Sequence, residues 1–170
     1  MRYGTAFRQA IGSVVARVEA STRGESATIH MHGGATLRLV LDGDCCSSSY
    51  FTKEAQFADL VGAKILAFEE VDSSPDGFEE YDLDGTDSLS WHFLKVTTDK
   101  GHVTIDWRND SNGYYDGTLS AEYDGPPHGP FGPREMLERG LIDADEAAVL
   151  SDLCAESGCG HLGLPSPVSP

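Results

Sequence analysis

Residues 90–108 read SWHFLKVTTDKGHVTIDWR, and this stretch decides the fold class. Apolar side chains recur through Ser90–Thr98 and alternate strictly with polar ones over His102–Arg108. A period of two is typical of strands that bury one face. The sequence DKG at 99–101 favours a tight turn between the two runs. The second half of the chain is therefore predicted to contain an antiparallel hairpin.

Further strands are predicted by the same pattern on both sides of this hairpin. Ser26–His32 and Thr36–Leu41 alternate around the turn residues Gly33 and Gly34, which predicts a second hairpin. Single strands are expected over Ile11–Ala20, Ala63–Val71 and Thr118–Tyr123. One short helix is predicted over Lys53–Val61, with Thr52 as its N-cap and Gly62 as its stop. Residues 42–49 are expected to be a loop or a strand end, and residues 109–117 are expected to be a loop.

Composition changes at Asp124, where the proline-rich run GPPHGPFGP (125–133) cannot continue a sheet. Two helices are predicted beyond it, Arg134–Arg139 and a second that starts at an Asp143–Glu146 capping box and ends near Ser157. The predicted fold class is α+β: a β-rich antiparallel sheet or small barrel with one short helix, plus a C-terminal two-helix appendage. The expected organisation is a core domain at 1–124, a linker at 125–133, an acidic helical appendage at 134–162 and a disordered tail at 163–170. Four leucines suggest that the appendage docks on the core or on a second copy of the chain: Leu137, Leu141, Leu150 and Leu153.

Charge and hydropathy exclude several classes of protein. The net charge is −16, and because residues 1–68 carry seven basic against six acidic side chains (+1), residues 69–170 carry −17. No basic face is available to neutralise phosphates, which argues against direct nucleic-acid binding. No apolar run is long enough to span a membrane. The first 20 residues do not resemble a secretory signal, so we expect a cytoplasmic protein with reduced cysteines.

Two motifs stand out from this background. The first is GDCCS at 43–47 and the second is RNDSNGYYDG at 108–117. Together they resemble an uncharacterised domain-of-unknown-function family of phage and bacterial proteins that carries GDCCS and RN-x-SNGYY elements. The resemblance covers roughly residues 10–123. It implies a β-rich single domain of phage or bacterial origin, and it implies no activity.

The second motif permits two interpretations. As a structural element, Asn112 and Gly113 form a turn, the neighbouring polar side chains bond the local backbone, and the tyrosines cover the edge of the core while Arg108 pairs with an acid. As a binding element, Arg108 holds an anionic group while a tyrosine ring stacks on a flat ligand. The candidate ligand-binding residues from both motifs are Arg108, Asn109, Ser111, Asn112, Tyr114, Tyr115, Asp44, Cys45 and Ser47.

The adjacent cysteines permit three interpretations. Cys45 and Cys46 can be small buried side chains at a strand end, as free cysteines often are. In the second interpretation a zinc ion is the cofactor, bound by Cys154, Cys159 and His161 with Cys46 or Cys45 as the fourth ligand. A nucleophilic cysteine next to one of the strand histidines His30, His32, His92 and His102 is the third interpretation.

Common catalytic and nucleotide-binding signatures are missing from the sequence, including the P-loop, the dinucleotide fingerprint and the HExxH helix. We therefore expect a non-catalytic binding protein, a phage accessory or counter-defence factor that binds a host protein or sequesters a small nucleotide-like ligand. The alternative is an enzyme of unfamiliar type that uses Cys45 or Cys46 with a histidine, or a bound metal. Homo-oligomerisation stays open at this point.

Overall fold

A computed structural model describes residues 4–43, 45–52, 55–72, 80–81, 88–112, 114–115, 117–126, 129–140 and 143–157. The chain begins with helix α1 (Thr5–Ala10) and continues through nine strands and a single 3-10 turn at Phe57–Leu60. The strands are β1 (Val15–Ala20), β2 (Ser26–Met31), β3 (Thr36–Gly43), β4 (Ser47–Phe51), β5 (Ile65–Asp72), β6 (Glu80–Tyr81), β7 (Ser88–Thr98), β8 (Gly101–Ser111) and β9 (Gly117–Asp124). Helices α2 (Pro133–Glu138) and α3 (Ala144–Ser157) follow.

The strands form two antiparallel sheets. The first sheet has the order β1-β2-β3-β9, and the second has the order β4-β8-β7-β5 with the short β6 paired to β7. Both sheets contribute to one hydrophobic core, for which the first sheet supplies Ile29, Leu37 and Leu39 and the second supplies Leu94 and Ile105. The predicted fold class is confirmed: the protein is β-rich and antiparallel with two short C-terminal helices, and the described strands form two sheets and no closed barrel.

Both predicted hairpins are present. Gly33 and Gly34 have φ angles of +101° and +92° between β2 and β3, which is the conformation that glycine adopts without steric cost. The β7–β8 hairpin pairs Thr98 with Gly101 at its turn and is longer than predicted, because β8 continues to Ser111. The strands expected at 63–71 and 118–123 are also present, as β5 and β9.

Three local expectations were wrong. Residues 5–10 form α1, and the strand expected from Ile11 begins only at Val15. The helix expected at 53–61 is reduced to the turn Phe57–Leu60, and Lys53 and Glu54 lie outside the described residues. Thr52 does not cap this turn; instead its backbone N–H donates to the Asp106 carbonyl, at 3.0 Å, and prolongs the pairing of β4 with β8.

Strand β4 is a further difference, because it begins at Ser47, within the segment that was expected to be a loop or a strand end. Its sequence, SSSYF, has little intrinsic strand preference before Tyr50. Five consecutive pairs with β8, from Ser47–Ser111 to Phe51–Trp107, hold it in place. Pairing with a preformed neighbour therefore decides the conformation of this segment.

The segment before α2 and helix α3 contact the N-terminal part of the core. Phe131, which precedes α2, lies against Gly12, where a Cβ atom would come within 2.2 Å of the ring. Arg8 of α1 donates from Nη1 to both carboxylate oxygens of Glu146 on α3, each at 2.9 Å. Met136 and Ala147 form a small second cluster with Phe131. The capping box is confirmed, since the N–H of Glu146 donates to Asp143 Oδ1 at 2.8 Å and the N–H of Asp143 donates to Glu146 Oε2 at 3.2 Å.

Of the four leucines expected to dock this appendage, the structure describes the side chain of Leu137 alone. Leu137 is 41% exposed. Leu141 and the side chains of Leu150 and Leu153 lie outside the described part of the chain. The described contacts with the core are made by Phe131, against Gly12, and by the ion pair between Arg8 and Glu146.

Candidate functional site

The two sequence motifs meet at one end of the two sheets. Gly43 at the end of β3 pairs with Gly117 at the start of β9, and Ser47 at the start of β4 pairs with Ser111 at the end of β8. The two motifs, which lie more than sixty residues apart in the sequence, are thus paired with each other in the first sheet and again in the second sheet. We call this region, residues 43–49 and 108–117, the motif end.

The interior of the motif end is polar. Along the buried face of β8 the apolar residues Val103, Ile105 and Trp107 give way to Asn109 and Ser111, which are also buried. The amide of Asn109, 1% exposed, donates from Nδ2 to Ser49 Oγ at 2.9 Å. Buried polar groups need such partners because desolvation without a hydrogen bond is costly.

Close packing surrounds this hydrogen bond. Ser49 Oγ in turn donates to the Asp42 carbonyl at 3.3 Å. A Cβ atom on Gly117 would come within 2.2 Å of Ser49 Oγ and 2.7 Å of Asn109 Nδ2. Glycine at 117 is required by the approach of these two side chains. Asn109 and Ser111, candidates for ligand binding, therefore lie inside the protein and not on its surface.

His92 is engaged with its neighbours on the same buried face. Its ring stacks on Trp107 with centroids 3.9 Å apart and an interplanar angle of 10°. Its Nε2 lies 3.1 Å from Ser90 Oγ. Of the other histidines considered as partners for a cysteine, His30 contacts Glu19 at 3.1 Å on the first sheet.

Cys45 and Cys46 form the turn that carries the chain from the first sheet to the second. Both are exposed, so the interpretation that they are buried small side chains was wrong. The crossing between the sheets is short, because β3 continues to Gly43 and β4 begins at Ser47. The two Sγ atoms lie 3.5 Å apart, and Cys46 has a φ angle of +72°. Asp44 lies outside the described residues.

The loop between β8 and β9 presents its tyrosines to solvent. Tyr114 is 91% exposed and Tyr115 is 39% exposed, so the expectation that they cover the edge of the core was wrong. Asn112 stabilises the loop locally, since its Oδ1 accepts a hydrogen bond from the N–H of Tyr114 at 3.2 Å. Gly113 is outside the described residues.

Arg108 lies on the opposite face of β8 from Asn109, because successive residues of a strand alternate between faces. Its strand neighbours are Tyr50 on β4 and Trp91 on β7. The guanidinium carbon lies 3.8 Å from the centroid of the Trp91 ring, which is a cation–π contact. Within the described residues no carboxylate pairs with Arg108, and the contact seen there is the one with the Trp91 ring.

A groove of about 580 Å³ opens beside Arg108 at the seam between the sheets. The β1–β2 turn forms one wall and β4 forms the other. The N–H of Phe51 donates to the Gly24 carbonyl at 2.8 Å and fixes the two walls together. The lining residues include Thr22, Arg23, Tyr50, Thr52, Phe57 and Arg108. Sequence reasoning missed this groove because its two walls come from different sheets.

The arginines of the described residues divide into two groups. Arg8, Arg17, Arg38, Arg134 and Arg139 each pair with a glutamate. Arg23 and Arg108 pair with no carboxylate among the described residues, and both line the groove. Guanidinium groups without a carboxylate partner can bind an anionic group of a ligand.

The proposed zinc ligands come from the exposed turn and from the end of α3 and the residues that follow it. Cys159 and His161 and the side chain of Cys154 lie outside the described part of the chain, whereas Cys46 is at the exposed turn. Within the described residues, no three His, Cys, Asp or Glu side chains come together in a way that could hold a metal ion. No helix there is long and apolar enough to cross a membrane.

The fold and the motif end define a protein of two antiparallel sheets followed by two C-terminal helices, of which α3 is joined to α1 by the ion pair between Glu146 and Arg8. Residues 8–120, about two thirds of the chain, match the model of a family described as "Domain of unknown function (DUF7448)", and the chain belongs to that family. Both motifs lie inside the matched region, whereas α2 and α3 lie outside it. Comparison with curated proteins and with solved structures gave no match.

Proposed function

We propose that this protein is a non-catalytic binding protein whose groove holds a small anionic ligand with a flat ring, of the nucleotide class. One observation carries the proposal: Arg23 and Arg108, the two described arginines without a carboxylate partner, both line the same groove. The chain as a whole has a net charge of −16, so two arginines at one groove that pair with no carboxylate of the described residues offer a local site for an anion.

The chemistry of the groove fits a phosphate attached to an aromatic ring. Guanidinium groups donate paired hydrogen bonds to phosphate oxygens. Arg108 is held in place by the Trp91 ring, so less side-chain entropy is lost when a ligand binds. Tyr50 supplies an aromatic face next to Arg108, and Thr22 and Thr52 supply hydroxyl groups. A volume of about 580 Å³ lies in the range of small-molecule sites.

The proposed biological role is that of a phage accessory or counter-defence factor that acts in the cytoplasm. Sequestration of a nucleotide-like ligand would need only affinity, and the groove contains no group that the sequence identifies as catalytic. We favour this role over occupation of a host protein, because a concave groove with two arginines suits a small anion better than a broad protein surface.

Isothermal titration calorimetry tests the proposal with a panel of nucleoside mono-, di- and triphosphates, the parent nucleosides and inorganic phosphate. We expect at least one nucleotide to bind, with nucleosides and phosphate each binding more weakly. Arg108→Ala should weaken binding by about 10- to 100-fold, because a hydrogen bond to a charged group contributes about 1.5–3 kcal/mol. Arg108→Lys should recover part of the affinity, since it keeps the charge but not the planar donor pair.

Arg38→Ala is the matched control. Arg38 lies on the first sheet and pairs with Glu122 at 3.5 Å, so its loss should leave nucleotide affinity unchanged. Equal weakening in both variants, or no binding by any nucleotide, would contradict the proposal. Conversion of a nucleotide to product, abolished by Cys45→Ala, would instead favour the enzyme alternative.

A further inference from the structure

The turn between β3 and β4 places two thiols side by side at the surface. Cys45 and Cys46 are both exposed, and their Sγ atoms lie 3.5 Å apart, which is close to van der Waals contact for sulfur. Among the described residues, Cys46 is the one non-glycine residue with a positive φ. This conformation brings both side chains to the same side of the turn, although side chains of successive residues usually diverge.

We propose that Cys45 and Cys46 form a modification site at which a low-molecular-weight disulfide, such as oxidised glutathione, reversibly closes a disulfide bond between the two adjacent residues. This site lies at the turn and does not depend on the groove or its ligand.

The reaction consists of two thiol–disulfide exchanges. The thiolate of one cysteine attacks a sulfur of the small disulfide, which forms a mixed disulfide and releases one small thiolate. The second cysteine thiolate then attacks the protein sulfur of the mixed disulfide and releases a second small thiolate. The two protein thiols together lose two electrons and two protons, and the small disulfide gains them as two thiols. The 3.5 Å contact between the sulfurs makes the second step faster than reaction with another molecule.

The bond formed in this way should be easily reduced. The Cα atoms of consecutive residues lie about 3.8 Å apart, which is below the range of about 4.4–6.8 Å usual for disulfides. A strained and exposed disulfide has a more oxidising potential than a structural one and is labile. The site would therefore stay as a dithiol under reducing conditions and close only when the supply of small disulfides rises.

Closure would also change the connection between the sheets. The turn is tightly packed at its base, where a Cβ atom on Gly43 would lie 2.8 Å from the Ser47 carbonyl oxygen. Drawing the two sulfurs from contact to bonding distance must be accommodated between these residues. The proposed modification thus acts on the segment that links β3 to β4 at the motif end.

Tryptic peptide mapping tests the proposal on the full-length protein. Cleavage after Arg38 and Lys53 releases Cys45 and Cys46 in one peptide, and cleavage after Arg139 releases Cys154 and Cys159 in another. The protein is treated with oxidised glutathione, blocked with iodoacetamide and digested without reductant. We expect peptide 39–53 to lose two hydrogen atoms in mass and to gain no carbamidomethyl group. Dithiothreitol before blocking should restore two carbamidomethyl groups.

Cys46→Ser is the matched variant, because it leaves the first exchange possible and removes the second. Its peptide 39–53 should carry one glutathione adduct on Cys45, whereas the wild-type peptide should carry none at equilibrium. Cys154→Ser/Cys159→Ser removes exchange with the other cysteine pair and should leave the result for peptide 39–53 unchanged. Two glutathione adducts on the wild-type peptide, two carbamidomethyl groups after oxidation, or a cross-link to peptide 140–170 would each overturn the proposal.

Discussion

The amide of Asn109 and the hydroxyl of Ser49 are joined by a buried hydrogen bond of 2.9 Å that links β8 to β4. The bond connects one residue of the second motif with a residue two positions beyond the first. The bond lies where the buried face of β8 changes from apolar to polar residues. Loss of the bond therefore leaves polar groups without a partner in the interior. Four predictions start from this and related contacts.

Asn109→Ala should lower the free energy of unfolding by about 1–3 kcal/mol, because it leaves a buried hydroxyl with fewer partners and opens a small cavity. Urea unfolding followed by circular dichroism measures the change. Ser48→Ala, at an exposed position on the same strand, should change stability by less than about 0.5 kcal/mol. Equal effects of the two substitutions would show that the buried bond contributes nothing.

Gly117→Ala should destabilise the protein by about 1–3 kcal/mol, because the new Cβ atom would meet Ser49 Oγ at 2.2 Å. Removing that oxygen should relieve the contact. The double variant Ser49→Ala/Gly117→Ala should therefore be more stable than the sum of the two single effects predicts, by more than about 0.5 kcal/mol. A purely additive double-mutant cycle would contradict the packing described at this position.

Glu146→Gln should loosen α3 from α1 without shortening α3. Glutamine preserves the capping box with Asp143 but loses the ion pair with Arg8. The global stability should fall by less than about 1 kcal/mol, since both side chains are partly exposed. Amide exchange over residues 144–152 should become faster, as measured by mass spectrometry. Glu138→Gln removes an ion pair confined to α2 and should leave amide exchange over residues 144–152 unchanged. Faster exchange in Glu138→Gln but not in Glu146→Gln would contradict the docking of α3 through Glu146.

Alkaline pH should destabilise the protein through Tyr123. Burial first, and the Asp124 carboxylate second, raise the pKa of this phenol from 10.0 to about 12. The folded state thus holds the proton more tightly than the unfolded chain does. The contribution to stability is complete below pH 10 and is lost as pH rises through 12, at a rate of at most about 1.4 kcal/mol per pH unit. Urea unfolding between pH 9 and 11 should show a steeper decline for the wild type than for Tyr123→Phe, and parallel declines would count against this origin.

The hairpins and the capping box could be read from the sequence because their signals are local. Gly33 and Gly34 set a turn, and Asp143 and Glu146 bond each other across one helical turn. Strand β4 could not be read in this way, since its serines adopt a strand only by pairing with β8. Helix α1 was missed although Phe7 and Ala10, three positions apart, are its buried residues and could have indicated a helical face.

The candidate site was predicted in part. The sequence singled out both motifs, and Arg108 does line a groove. It could not indicate that Asn109 points the other way or that Arg23, from a turn in the other sheet, lies at the same groove. The exposure of the cysteines also depends on how few residues cross between the sheets, which requires the ends of both strands to be known.

The alternation of faces along β8 restricts how this segment can change length. Even-numbered positions carry Arg108 to the groove, and odd-numbered positions carry Asn109 into the interior. Insertion or deletion of one residue ahead of them would exchange the two sets, placing a guanidinium among buried apolar groups and an amide in the groove. Descendants of this sequence can therefore vary the side chains of the strand one at a time, but they can lengthen or shorten it only by pairs of residues or beyond Ser111, in the loop.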